Sequence, residues 1–148
     1  MSHDKHLEQL RFNYVLATPA QRLAVAMQRI QNPDHGANLV VIHVSAIEGF
    51  ARSLAMHQEA STKDELLRIY EKYRNPGPET LITKYLQNKI GADPEGFFGA
   101  ADWELFGYAV QYRNAIVHEA TYLGQATYPE LISACERILV RLTELAEQ

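Results

Sequence analysis

The chain holds one cysteine, Cys135, in 148 residues, so no internal disulfide can form and a reducing compartment is the expected setting. Basic residues are in the minority: 14 Lys and Arg stand against 18 Asp and Glu, a formal charge of −4. Tight duplex-DNA binding rests on phosphate neutralisation, so that balance argues against a dedicated DNA binder while leaving room for a local basic site. No apolar stretch approaches the length of a membrane span, and the Met-Ser-His-Asp-Lys-His start lacks the apolar centre of a signal peptide. A cytoplasmic protein with no membrane partner is expected. Also missing are a glycine-rich phosphate loop, a nucleophile elbow and a paired-carboxylate pattern. The six histidines are scattered and no ligand pair has a zinc spacing, so neither a metal nor a cofactor is expected.

What is present is a helical pattern. Apolar residues make up 47% and charged residues 22%, which suits one globular domain spanning 1–148 with a core of its own. A segment from Lys5 to Leu16 reads as helical. Thr18-Pro19-Ala20-Gln21 then reads as an N-cap, a first-turn proline and a capping-box glutamine, opening a helix that Asn32-Pro33-Asp34-His35-Gly36 stops. A long helix is expected from Ala37 to Ala60. Leu39, Val40, Val44, Ile47, Phe50, Ala51 and Leu54 share its apolar face, and Ser45, Glu48, Arg52 and Glu59 fall opposite.

Thr62-Lys63-Asp64-Glu65 is a second capping box, and its helix runs to about Arg74, where Asn75-Pro76-Gly77-Pro78 ends it. The next helix covers Glu79 to Ile90 and closes on Gly91. Asp93-Pro94-Glu95-Gly96 begins a glycine-rich connection through Phe97, Phe98 and Gly99. A long helix is expected from Asp102 to Leu123, ending at Gly124, and Thr127-Tyr128-Pro129-Glu130 launches the last one. No repeat, low-complexity tract or strand pattern interrupts this order. The fold class is therefore all-α, an antiparallel bundle of five to seven helices.

The residues with most chemistry are Arg113-Asn114-Ala115-Ile116-Val117-His118, which pair a phosphate-holding guanidinium with a proton-exchanging imidazole. Spacing alone does not single them out, because Arg29…His35 and Arg52…His57 repeat it. Arg29…His35 straddles a helix end. Arg52 follows Glu48 by one turn in the favourable order for a helix ion pair, so a solvated salt bridge is the plain reading there. Arg113 differs. On the helix from Asp102 it projects near the middle of an apolar arc formed by Leu105, Phe106, Ala109, Val110, Ile116, Val117 and Ala120. A guanidinium buried alone costs several kcal/mol, so Arg113 must reach a carboxylate, snorkel to an edge, or line a cleft or subunit interface. Glu48 is one candidate carboxylate. Asn114 and His118 share the opposite polar face with Gln111, and Arg113 and His118 diverge by about 140° on an ideal helix. A joint site therefore asks for helix distortion or a second copy of the chain.

The Arg113-Asn114-x-x-x-His118 pattern resembles the signature of the HEPN superfamily (higher eukaryotes and prokaryotes nucleotide-binding), Arg with a polar neighbour and a His a few residues on. Val41-Ile42-His43-Val44-Ser45-Ala46-Ile47-Glu48-Gly49-Phe50-Ala51 is similar to the long early helix of such proteins. The likeness covers Ala37 to the C-terminus; the residues before it match nothing in the signature. It implies a helical bundle that forms a homodimer and brings two Arg–His motifs to one cleft. It also implies RNA or a nucleotide as ligand. Many members are metal-independent endoribonucleases, often toxins held by an antitoxin protein or defence effectors, and others only bind. On that resemblance Arg113 holds the scissile phosphate and its developing charge, and His118 moves the proton during attack by the 2′-hydroxyl, leaving a cyclic phosphate. Asn114 orients His118 or the phosphate, and Glu48 positions Arg113.

The remaining candidates have structural readings beside the functional ones. His43, at the centre of the long helix's apolar face, reads as a hydrogen-bonded core histidine. Tyr70-Glu71-Lys72-Tyr73-Arg74 with Lys84, Tyr85 and Lys89 mixes bases and aromatics, as a single-strand platform or an ordinary helix surface would. Phe97-Phe98 is either an exposed anchor or a loop plugged into the core.

Overall fold

The computed structural model describes residues 3–16, 18–31, 36–120 and 125–148, which form an all-α bundle with no strand among them. Two helices come first, α1 (His3–Leu16) and α2 (Pro19–Gln31). The expected box opens α2: Thr18 N–H donates to Gln21 Oε1 at 2.9 Å, and Gln21 N–H to Thr18 Oγ1 at 3.2 Å. The turn at 32–35, and with it the Arg29…His35 spacing, lies outside the described residues.

The centre of the bundle is α3 (Ala37–Glu59). Val40, Val44, Ile47, Ala51 and Ala55 recur every three or four residues and are all buried, the face a helix must hide. Around α3 lie α4 (Lys63–Tyr73), α5 (Pro78–Ile90), α7 (Ala100–Glu119) and α8 (Tyr128–Ala146), with α5 its most extensive neighbour. Leu81, Ile82 and Leu86 of α5, Phe106, Tyr112 and Ile116 of α7, and Leu131, Ile138 and Leu142 of α8 complete the core. The same α3 averages a hydropathy of 1.5 over 18 residues, long and apolar enough to match a membrane span. That corrects the reading that no stretch approaches one: Glu48 and Arg52 are the only Asp, Glu, Lys or Arg between Ala37 and Met56.

Local signals hold at most helix ends. Thr62 caps α4, accepting from Glu65 N–H at 3.3 Å while its hydroxyl donates to Glu65 Oε1 at 2.9 Å. Gly91 closes α5 at φ 64°, a left-handed conformation that glycine adopts without a Cβ clash. Two expectations need correction. The glycine-rich connection contains a further short helix, α6 (Pro94–Phe98), because Asp93 Oδ1 accepts from Gly96 N–H at 2.7 Å and Pro94 is preset for a first turn. Among the described residues it makes eight α-helices, against the seven read from the sequence. And α7 stops at Glu119, not Leu123: Ala120 turns left-handed (φ 51°, ψ 43°) and its N–H bonds the Ile116 carbonyl. A 3₁₀ turn over Gln125–Thr127 then leads into α8.

Several apolar assignments also move. Leu39 and Val117, placed on buried faces, are 51% and 54% exposed, because the apolar arcs of α3 and α7 are narrower than a helical projection suggests. His43 lies at the core's edge and not its centre. Its Nδ1 donates to the Leu39 carbonyl at 2.7 Å, and its Nε2 is 3.6 Å from Glu136. Of the aromatic and basic cluster, Tyr73 and Tyr85 are core residues, and Lys84 sits 4.6 Å over the Tyr73 ring. Those two rings are therefore not a stacking platform. Phe97 and Phe98 are plugged inward, Phe98 stacking on Trp103 at 5.7 Å.

Candidate functional site

Arg113 lies on the side of α7 that faces α3, and the polar edge of α3 receives it. Its Nη2 donates to Glu48 Oε1 at 2.9 Å and its Nη1 to Ser45 Oγ at 3.1 Å. Its Nε donates to Asn114 Oδ1 at 2.9 Å, so all three guanidinium nitrogens are engaged within the chain. Of the three ways out for an arginine on an apolar arc, the structure takes the carboxylate. The Arg113 side chain is 15% exposed and the Glu48 side chain 22%, so the pair is shielded from water more than a surface salt bridge is.

Glu48 serves a second cation. Its other oxygen, Oε2, accepts from Arg52 Nη2 at 3.1 Å. Arg52 also donates through Nε to the Tyr73 carbonyl at 2.9 Å and through Nη2 to the Pro76 carbonyl at 3.3 Å. Tyr73 is the last residue of α4, where helix carbonyls lack partners of their own, so Arg52 ties that end to α3. The expected solvated Glu48–Arg52 bridge is thus half-buried and shared, because one carboxylate joins α3 to α7 on one side and to the α4–α5 turn on the other. Burial pushes the Glu48 carboxyl up, but hydrogen bonds and charges from Arg113 and Arg52 outweigh it and hold the group below its ordinary 4.5.

His118 stands on the other flank of α7, exposed, one turn beyond Asn114. It lines a cleft of about 280 Å³ with Gln111 and Asn114 from α7 and Leu7, Leu10 and Arg11 from α1. Arg113 is not on that wall. The four residues singled out in the sequence are therefore joined as a relay and not as one cluster: Glu48 holds Arg113, Arg113 holds Asn114, and Asn114 shares the cleft with His118. Asn114 Oδ1 faces Arg113, leaving its amide as the part that could address a ligand.

Ser45 and Arg52 belong to the relay and Arg11 to the cleft, and sequence reasoning gave none of them a site role. The Ser45 and Arg52 contributions were readable in outline, since both share the polar edge of α3 with Glu48. Arg11 had no such signal, because its place depends on α1 docking against α7 from the other end of the chain.

Among the described residues no group of three or more His, Cys, Asp or Glu converges as a metal set would. Cys135 is buried in α8, and burial, with Glu136 adding to it, pushes its thiol up to about 12, so it carries no thiolate near neutral pH. The cleft offers an imidazole, an amide pair and a guanidinium at solvent's edge. Such groups can bind an anion and move a proton beside it. Comparison with family models, curated proteins and solved structures found no match to this chain.

Proposed function

We propose that the chain is a HEPN-like, metal-independent endoribonuclease that acts as a homodimer, with His118 as its acid–base group. His118 takes the proton of a 2′-hydroxyl as that oxygen bonds to phosphorus, and the proton is returned to the 5′-oxygen as the P–O5′ bond breaks. The products are a 2′,3′-cyclic phosphate and a free 5′-hydroxyl. Asn114 stabilises the charge that builds on the phosphoryl oxygens, Arg113 joins it from the second copy of the chain because it does not line the His118 cleft of its own, and Glu48 holds Arg113 in place. The observation that carries this reading is the relay Glu48–Arg113–Asn114, which ends one turn from an exposed histidine on a cleft wall.

The dimer is supported by the divergence of Arg113 and His118 around α7. It is also supported by apolar residues left in solvent: Leu39 and Ile42 on α3, and Val117 next to His118. A toxin or defence role, with an antitoxin protein as partner, follows from the same reading. One observation favours a second reading, a non-catalytic nucleotide-binding or regulatory module. Three of the five N–H donors of Arg113 are already engaged inside the chain, one on each nitrogen, so much of the group serves the fold before any phosphate arrives.

Labelled single-stranded RNA incubated with the protein in EDTA separates the two. Cleavage by the wild type that is lost in His118→Ala and strongly reduced in Arg113→Ala supports the ribonuclease. No cleavage by the wild type, or cleavage unchanged from wild type in both variants, leaves the binding module.

A further inference from the structure

The wall opposite His118 comes from α1. That helix lies on α7 through Leu10, which is 2% exposed, with Leu7 packed at the edge of the core and His3 stacked on Tyr108 at 4.7 Å. A helix pinned by residues 3, 7 and 10 turns residue 11 to the flank of the contact. Arg11 consequently stands at the rim of the cleft that His118 and Asn114 line.

Its state differs from that of the site's other arginine. Arg113 is held by Glu48, Ser45 and Asn114, and elsewhere Arg52, Arg74 and Arg137 each pair with a carboxylate. Arg11 has no ion pair or hydrogen bond among the described residues, and it is exposed. Glu119, also on the cleft wall, is engaged in an interaction of its own. A guanidinium with no partner among the described residues, beside an imidazole and an amide, presents donors in the fork that matches two phosphate oxygens. The cleft's volume of about 280 Å³ lies at the small end of ligand sites, room for one phosphate and its sugar.

We propose that Arg11 is the phosphate-binding residue of the His118 cleft and that the phosphate it takes is a backbone phosphate of single-stranded RNA. The N-terminal helix is then part of the binding site, although the HEPN-like pattern begins only at Ala37. The assignment of RNA rests on the ribonuclease reading; the assignment of Arg11 to phosphate does not depend on cleavage.

Binding therefore tests it, with a 2′-O-methylated RNA oligonucleotide whose attacking hydroxyl is blocked, titrated in EDTA over a range of salt. Arg11→Ala is expected to weaken binding about tenfold, the worth of one charge-assisted contact. It should also flatten the slope of log affinity against log salt by about 0.7, one released counterion on a single strand. Arg11→Lys should keep most of the affinity. The residue is exposed, so all three proteins should share one thermal unfolding curve. Affinity within twofold of wild type for Arg11→Ala, or a wild type that does not bind, overturns the proposal. ATP titrated in parallel separates the sources of phosphate: Arg11-dependent binding of ATP without binding of the oligonucleotide overturns RNA as the ligand. In the cleavage assay Arg11→Ala should raise KM and leave kcat nearly unchanged. RNA cleaved in a His118-dependent manner with KM unaffected by Arg11→Ala sinks this proposal and leaves the ribonuclease standing. Arg11-dependent binding without cleavage does the reverse.

Discussion

Replacing Glu48 with glutamine tests the centre of the structural account. The carboxylate gives one oxygen to Arg113 at 2.9 Å and the other to Arg52 at 3.1 Å. Glutamine keeps the shape but can accept through only one oxygen, and it turns an NH2 group toward the other guanidinium. Two cations, with side chains 15% and 17% exposed, are left facing no negative charge. A charge-assisted hydrogen bond is worth about 1.5–3 kcal/mol, and removing one partner of a buried pair costs about 3–5 kcal/mol. These groups are half-buried, so the expected loss is about 3 kcal/mol. For a chain of this size that lowers Tm by about 6–12 °C. The Glu48 carboxyl titrates lower in the folded chain than in the unfolded one, so its contribution is complete above pH 4.5 and is lost as pH falls through the folded value. Thermal unfolding followed by circular dichroism should show a wide gap between wild type and Glu48→Gln at pH 7, closing below pH 4.5. A loss under about 0.5 kcal/mol at pH 7, the scale of an exposed surface pair, would refute the reasoning.

Two further substitutions probe the helices that carry the site. Ala120 closes α7 in a left-handed conformation that costs an L-residue about 1–2 kcal/mol, so Ala120→Gly should raise Tm by about 3 °C; a lower Tm would contradict the cap. Gly49 sits inside α3 with nothing within 4 Å of where a Cβ would stand, so Gly49→Ala should stabilise by about 0.5–1 kcal/mol in urea unfolding. A destabilisation there would mean that this face of α3 is covered in the folded protein.

What was legible in the sequence was local. The Thr18 and Thr62 boxes could be read because a cap and its partner lie three residues apart and need no knowledge of the rest of the chain. The central stripe of α3 was readable from its period, but the width of a buried arc is set by the neighbours, which is why Leu39 and Val117 were misplaced. The short α6 was hidden by glycines that read as loop, although Asp93-Pro94 is itself a helix start. The end of α7 was missed because glycine is the usual signal for a left-handed stop, and here alanine makes it. Part of the site was reachable by elimination: an arginine on an apolar arc needs a carboxylate, and Glu48 was at hand on the polar edge of α3. The cleft was not, since it forms only when α1 crosses to α7, a contact between distant parts of the chain that no short-range pattern encodes.

The central claim, that His118 performs acid–base chemistry on RNA, is tested most directly by the termini of the products. Mass spectrometry of a single-stranded RNA incubated with the protein in EDTA should find 2′,3′-cyclic phosphate and 5′-hydroxyl ends. These should vanish with His118→Ala and with a substrate 2′-O-methylated throughout. Intact RNA with the wild type, or 3′-hydroxyl and 5′-phosphate ends, would contradict it.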